Sequence, residues 1–195
     1  MGSLSFSATV SLDGFAADRD GGIDWTVPDA DLFRLHVERM AAVSTEVLGR
    51  RTFLMMKYWD SEPGDGSWGP DEREFARRWR GIEKIAVSST LTGAEVGSGG
   101  ARLISGLTLP GLARIVEDAP GEVEIFGPTT AAAAIRAGMV RDFRFFVVPR
   151  VLGGGLRALP DHADLELRLV EHQVFGSGIV FLHYSSRDRG GVPID

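Results

Sequence analysis

The sequence predicts one mixed α/β domain, a mostly parallel sheet covered by helices on both faces and closed by an antiparallel hairpin. Three observations lead there. Strand-like and helix-like patterns alternate over the first two-thirds of the chain, and helical crossovers favour parallel pairing. Beyond Arg141 three strand-like runs follow one another, the last two joined by the turn Gly176-Ser177-Gly178. The 195 residues, 44% of them hydrophobic, suit a single core that buries roughly 70% of the unfolded surface.

The elements follow in order. Phe6 to Ser11 carries β-branched residues with some alternation and reads as the first strand. Asp13-Gly14 and Asp18 to Gly22 then make a long, turn-rich loop. Pro28-Asp29 opens a helix, with Leu32, Leu35, His36 and Arg39 at helical spacing and Asp29 and Asp31 at its positive end. Thr45 to Leu48 is a short strand, and Gly49 leads into a second helix from about Arg51. Asp60 to Gly69 is glycine-rich around Trp68 and reads as a loop, and Pro70 starts a charged helix reaching Arg80. Lys84 to Ser88 and Arg102 to Ser105 read as strands, Leu109 to Asp118 as a helix, and Val123 to Phe126 as a strand running into Gly127-Pro128 and an alanine-rich helix from Thr129 to Ala137. Phe143 to Val148, Leu165 to Phe175 and Ile179 to Ser185 complete the sheet. The domain is expected over residues 1–186, with 187–195 as a flexible tail.

Composition excludes several classes of function. With no cysteine there is no disulfide framework, thiolate catalysis or cysteine-based metal site. A net charge of −6 argues against general nucleic-acid binding. The apolar runs fall short of the ~20 residues that span a bilayer, and MGSLSFSATV lacks the features of a signal peptide, so no membrane partner and a cytoplasmic location are expected. His36, His162, His172 and His183 are scattered without metal-ligand spacing, so no metal is expected. No G-x-G-x-x-G follows a strand, and neither G-K-[ST] nor G-x-S-x-G occurs.

In such sheets ligands gather beyond the carboxyl ends of the strands, where helix starts expose unpaired N–H groups. Three junctions carry suitable residues. Gly49 with Arg50, Arg51 and Thr52 offers close backbone approach, a guanidinium fork and a hydroxyl, although a plain turn with solvated arginines reads equally well. Gly127, Pro128, Thr129 and Thr130 form either an anion cradle or an ordinary helix start. Ser88, Ser89 and Thr90 could touch a ribose or phosphate, or serve as turn residues.

The order of these motifs is more informative than any one of them. Ser11-Leu-Asp-Gly14, Asp24-Trp25, Leu48-Gly-Arg-Arg-Thr-Phe53, Trp59, Lys84 to Leu91, Phe126-Gly-Pro-Thr and Pro149 to Gly155 occur in sequence. From about Leu4 to Tyr184 the chain resembles the dihydrofolate-reductase-like superfamily, in particular the C-terminal reductase domain of the riboflavin-biosynthesis protein RibD and its stand-alone relatives. The resemblance implies a sheet of about eight strands and an NADPH site, with NADH an alternative, beside a pocket for a flat heterocyclic small-molecule substrate. It places Arg50, Arg51 and Thr52 on cofactor phosphates, Ser88 and Ser89 at the adenosine 2′-phosphate, and Gly127, Pro128, Thr129 and Thr130 along the pyrophosphate. Asp13, Trp25 and Asp31 would face nicotinamide and substrate, with Gly153 and Gly154 on the far wall.

Catalysis would then rest on Asp31, as a buried carboxylate of raised pKa that aids protonation, and on Asp13, ordering the loop over the nicotinamide. Asp31 also reads as a helix-dipole partner, and Asp13-Gly14 as a turn. Trp25 and Trp59 could stack on a substrate ring or pack in the core. The chain departs from the family twice. Ser89 stands where the family carries arginine, a loss of about 1.5–3 kcal/mol for a charge-assisted bond. Pro128 replaces a glycine at a junction commonly cis in the superfamily and removes one N–H donor. The functions in view are an NAD(P)H-dependent reductase of a pyrimidine or ribosyl intermediate, a dihydrofolate reductase, and a non-catalytic ligand-binding protein of the same fold. A homodimer through the C-terminal strands is expected.

Overall fold

The computed structural model describes residues 2–97 and 99–187. The chain begins with strand β1 (Leu4–Ser11) and the short β2 (Phe15–Ala17), followed by helix α1 (Ala30–Arg39), β3 (Val43–Gly49), α2 (Arg50–Met56) and α3 (Pro70–Gly81). It continues through β4 (Glu83–Val87), the single turn α4 (Gly93–Val96), β5 (Arg102–Ile104), α5 (Leu109–Asp118), β6 (Glu122–Phe126) and α6 (Pro128–Arg136). Strands β7 (Asp142–Val148), β8 (Leu156–Arg157), β9 (Leu167–Val174) and β10 (Val180–Ser186) complete it. The tail expected over 187–195 lies, Arg187 aside, outside the described residues.

Eight strands form one sheet in the order β5-β4-β3-β6-β1-β7-β10-β9, and β2 pairs with β8 in a separate two-stranded sheet. The six strands from β5 to β7 are parallel, and β10 is antiparallel to both β7 and β9. The six carboxyl ends therefore emerge along one edge. Asp29 caps α1 through Leu32 N at 2.8 Å, and Pro70 occupies the first turn of α3, as the local signals require. The β2–β8 pair is absent from the sequence-based reading, because strands of three and two residues carry no measurable periodicity.

Alternation along each strand separates two faces. Phe6, Val47, Ile85, Ile125 and Phe143 pack with Leu112 of α5 and Ala131, Ala134 and Ile135 of α6. Leu48 and Ala86 face the other way, onto Val37 of α1, Phe53 of α2, and Phe75 and Trp79 of α3. This second face also buries charge. Register sets Lys84 beside Glu46, Glu46 beside Glu124 and Glu124 beside Ser5, all at most 4% exposed. Arg39 reaches from α1 to donate to Glu124 at 2.8 Å, Ser7 donates to the same carboxylate, and Lys84 donates to the Trp79 carbonyl at 3.1 Å. Neither Glu46 oxygen has a partner, so burial first and neighbouring Glu124 second push its pKa well above the carboxylate range.

Candidate functional site

Parallel pairing puts Leu48 level with Phe126 and Gly49 level with Val87, so the tips of β4, β3 and β6 stand side by side. Two of them turn directly into helices, α2 after Gly49 and α6 after Gly127, and neither helix start is capped by a side chain. The first N–H groups of α2, and those of α6 from Thr129 onward since Pro128 has none, therefore have no side-chain cap. The two starts nearly touch. A Cβ on Gly49 would overlap Thr130 Oγ1, and one on Gly127 would lie 3.2 Å from Thr52 Oγ1. Gly127 also has φ 93°, a backbone region that excludes most side chains.

Beside these starts opens a cleft of about 380 Å³, floored by Thr9 of β1 and walled by Thr52, Phe126, Gly127 and Pro128 on one side. Ser7, Ala17, Ile23, Thr26, Arg51, Met55 and Leu156 are among the other lining residues, a mostly apolar surface with hydroxyls and one guanidinium but no carboxylate and no imidazole. A wider hollow of about 600 Å³ continues past Gly21 and Arg51 toward Asp18, Arg19 and Gly155. The outer wall is the β2–β8 pair, held by a small network. Asp13 accepts from Ser11 Oγ at 2.7 Å, Leu152 N at 3.1 Å and Gly153 N at 2.7 Å, while Ser11 Oγ accepts from Phe15 N at 3.0 Å. The Ser11 bond, then the backbone N–H bonds, hold the Asp13 pKa down at about 2. Through these bonds Asp13 ties the 152–155 loop to the end of β1.

The site residues named from sequence distribute unevenly. Arg51, Thr52, Gly127 and Pro128 line the cleft, and Thr130 adjoins it through Gly49 and Gly127. Thr129 is exposed in the first turn of α6. Arg50, Ser88 and Ser89 gather at the neighbouring β4 tip, where Arg50 donates to Thr90 Oγ1 at 3.0 Å. Gly153 and Gly154 stand behind the wall, the Gly153 carbonyl accepting from Arg19 at 3.1 Å and Gly154 lying close to the Arg19 guanidinium.

Other expectations are corrected. Asp31 is not buried: its side chain is 72% exposed and paired with Arg34 at 2.9 Å, outside the cleft, because it occupies the outward face of α1. Trp59 packs in an aromatic cluster with Phe33, Phe75 and Trp68 rather than facing the cleft. Trp25 donates to the Gly22 carbonyl at 3.2 Å and packs toward Leu32 and Phe146, leaving its neighbours Ile23 and Thr26 to line the cleft. Among the described residues every peptide bond is trans, and Pro128 simply takes the first helical position of α6. Thr9, Ile23, Thr26, Met55 and Leu156 went unnamed from sequence; only the pairing of β2 with β8 gathers them.

A model of the RibD C-terminal domain matches residues 125–181. The uncharacterized protein YyaP of Bacillus subtilis (strain 168) is 25% identical over 178 residues, 90% of each chain. A Shewanella sp. PV-4 protein named for riboflavin biosynthesis superposes with a TM-score of 0.72 at 20% identity, covering 95% of this chain and 99% of that one. The chain has the dihydrofolate-reductase-like fold. A dihydrofolate reductase from Enterococcus faecalis, solved with NADP(H) and RAB-propyl, shares this fold at a TM-score of 0.61 and 14% identity, covering 95% of this chain and 97% of that one. The uncapped, neighbouring starts of α2 and α6 fit a phosphate-bearing group. The glycines let α2 and α6 approach until a Cβ on Gly49 would strike Thr130 Oγ1, which sets the two uncapped helix starts and the Thr52 and Thr130 hydroxyls side by side. Among the described residues no group of three or more His, Asp or Glu could hold a metal, and no helix is long and apolar enough to cross a membrane.

Proposed function

We propose that this chain is a cytoplasmic reductase that binds a reduced nicotinamide dinucleotide, NADPH or NADH, across the tips of β4, β3 and β6. It would reduce a small heterocycle in the manner of 5-amino-6-(5-phosphoribosylamino)uracil reductase. The observation that carries the reading is the pair of abutting, uncapped helix starts beside a cleft of about 380 Å³. Thr52, Thr129, Thr130 and the free N–H groups of α6 hold the pyrophosphate; Gly127 and Pro128 shape its bed without a side chain in the way. Arg51 closes the bed from the cleft side, donating to the Gly21 carbonyl. Arg50, Ser88 and Ser89 receive the adenosine end.

The dinucleotide, when bound, supplies a hydride to an electrophilic carbon held next to it. The protein's share is orientation and exclusion of water. Ile23, Met55, Phe126 and Leu156 offer apolar surface to a flat ring, and Asp13 keeps the wall in place through the 152–155 loop. The proton that accompanies the hydride comes from solvent or through the cleft hydroxyls, Thr9 and Thr26, because no carboxylate lines the cleft. That same lack counts against dihydrofolate reduction, for which an anionic anchor at the ring was expected in Asp31. The domain is taken to be residues 1–186.

A homodimer belongs to the same proposal. On the face carrying α5 and α6, the β9–β10 end of the sheet presents Leu169 and Val174, 46% and 68% exposed, an apolar surface suited to a second copy about a two-fold axis. Light scattering at micromolar concentration should give twice the chain mass, and a monomer would remove this part. The reductase reading itself is tested by titrating the purified chain with NADPH and NADH while following tryptophan fluorescence. Quenching with a micromolar Kd, followed by dinucleotide oxidation when the ribosylated pyrimidine is added, supports it. No binding at millimolar concentration overturns it in favour of a non-catalytic ligand-binding role.

A further inference from the structure

At the tip of β4, where the reading above sets the adenosine end, Arg50 and Ser88 are tied to Thr90, Leu91 and Glu95. Ser88 Oγ accepts from Thr90 N at 3.1 Å and Leu91 N at 3.0 Å and lies 3.3 Å from Thr90 Oγ1. Arg50, arriving from the neighbouring β3 tip, spends both arms of its fork here, Nη1 on Thr90 Oγ1 at 3.0 Å and Nη2 on Glu95 Oε1 at 3.2 Å. Glu95 is itself anchored. Its Oε2 accepts from Thr92 N at 2.8 Å and Thr92 Oγ1 at 3.0 Å, and the Thr92 hydroxyl accepts from Glu95 N at 3.3 Å. The Thr92 bonds, with Arg50 adding to them, hold the Glu95 carboxyl below its usual range. Lys57 does not free Arg50 from this task, since its ammonium donates to the Glu95 backbone carbonyl at 2.5 Å.

We propose that Glu95 is the specificity-determining residue at the adenosine end of the nucleotide, selecting a free ribose diol, and hence NADH, over a ribose bearing a 2′-phosphate. The inference rests on the dinucleotide reading above and goes beyond it. A phosphate set on the Ser88–Thr90 hydroxyls would have to take Arg50 away from a carboxylate that two bonds from Thr92 hold in place, and would then face that carboxylate as a like charge. Ser89, exposed and uncharged, brings no second cation. A diol presents two donors, which the Glu95 and Thr90 oxygens can accept while Arg50 stays where it is. An acidic side chain on the ribose hydroxyls and an arginine on the 2′-phosphate are the two general solutions for this end of a dinucleotide. Here the arginine is present but already neutralised by the acid.

The test uses calorimetric titration of the purified full chain with NADH and with NADPH, for the wild type, Glu95→Gln and Glu95→Ser. The second variant guards against a local disturbance of the short α4 turn. The wild type should bind NADH the more tightly; each variant should gain about tenfold in NADPH affinity, the scale of one removed like charge near a phosphate, and Glu95→Ser should lose about tenfold in NADH affinity with the acceptor of the diol. A wild type that prefers NADPH, or NADPH affinity unmoved in both variants, overturns the assignment of Glu95 while leaving the dinucleotide reading standing. Failure of the wild type to bind either nucleotide overturns that reading and this one with it.

Discussion

Replacing Glu124 by Gln should expose how much the cleft depends on charge buried beneath it. Glu124 lies in the middle of β6, two residues before the strand tip, with its side chain 4% exposed, and it accepts from Arg39, 16% exposed, at 2.8 Å. Ser7 of β1 donates to the same oxygen, so this one carboxylate joins α1, β1 and β6. Removing its charge leaves the guanidinium uncompensated, and Arg39 Nε already has no partner. Breaking a buried pair from one side costs about 3–5 kcal/mol. The residual exposure of Arg39 argues for the lower end, ~3 kcal/mol, which is a large share of a typical total stability of about 5–15 kcal/mol. For a chain of this length that corresponds to a fall in Tm of about 6–12 °C. The assay is urea denaturation of Glu124→Gln, Arg39→Met and the pair Arg39→Met with Glu124→Met. Replacing both partners by apolar groups should recover stability to within ~1 kcal/mol of wild type. A single substitution costing under ~1 kcal/mol, or a double variant no better than the worse single one, would refute the reasoning.

Glu46→Gln should change the pH profile of stability. The folded pKa of Glu46 is raised, so its contribution is whole below the unfolded value of 4.5 and is lost as pH rises through the folded pKa. The stability advantage of Glu46→Gln over wild type should therefore widen from pH 5 to pH 8 in urea melts, and parallel profiles would show that burial does not perturb this group. Gly155→Ala should damage the cleft wall, because a Cβ there overlaps the Ala17 carbonyl at φ 135°; a loss of about 1–3 kcal/mol and weakened nucleotide binding are expected from melts and titration. Asp31→Asn should leave binding and turnover within about twofold, as befits a solvent-exposed surface pair; a large loss in steady-state assays would return Asp31 to the reaction.

The elements of the main sheet and most helices were legible because their signals are local. Asp29 before an apolar-periodic run, Pro70 at a helix start and Gly176 to Gly178 between two strand-like runs each act within a few residues. The same local reading misjudged side chains whose place depends on partners. Asp31 and Asp29 look alike in sequence, yet Asp29 caps the helix and Asp31 points to solvent. Glu46 and Glu124 carry no local sign of burial, yet α1 and α3 close over them. Trp59 could have served a ligand ring until Phe33 and Phe75 claimed it.

Periodicity, turn chemistry and the order of short motifs were thus enough to specify strands, helices and the three junctions where a ligand could sit, since each depends on neighbours along the chain. The cleft itself was not specified in that way. Gly49 against Thr130, Asp13 against Gly153 and Arg50 against Glu95 are contacts between segments remote in sequence, brought together only when parallel strands pair in register and the β2–β8 wall forms. Close approach, burial and charge compensation are properties of the packed chain, and no window of the sequence contains both members of such a pair.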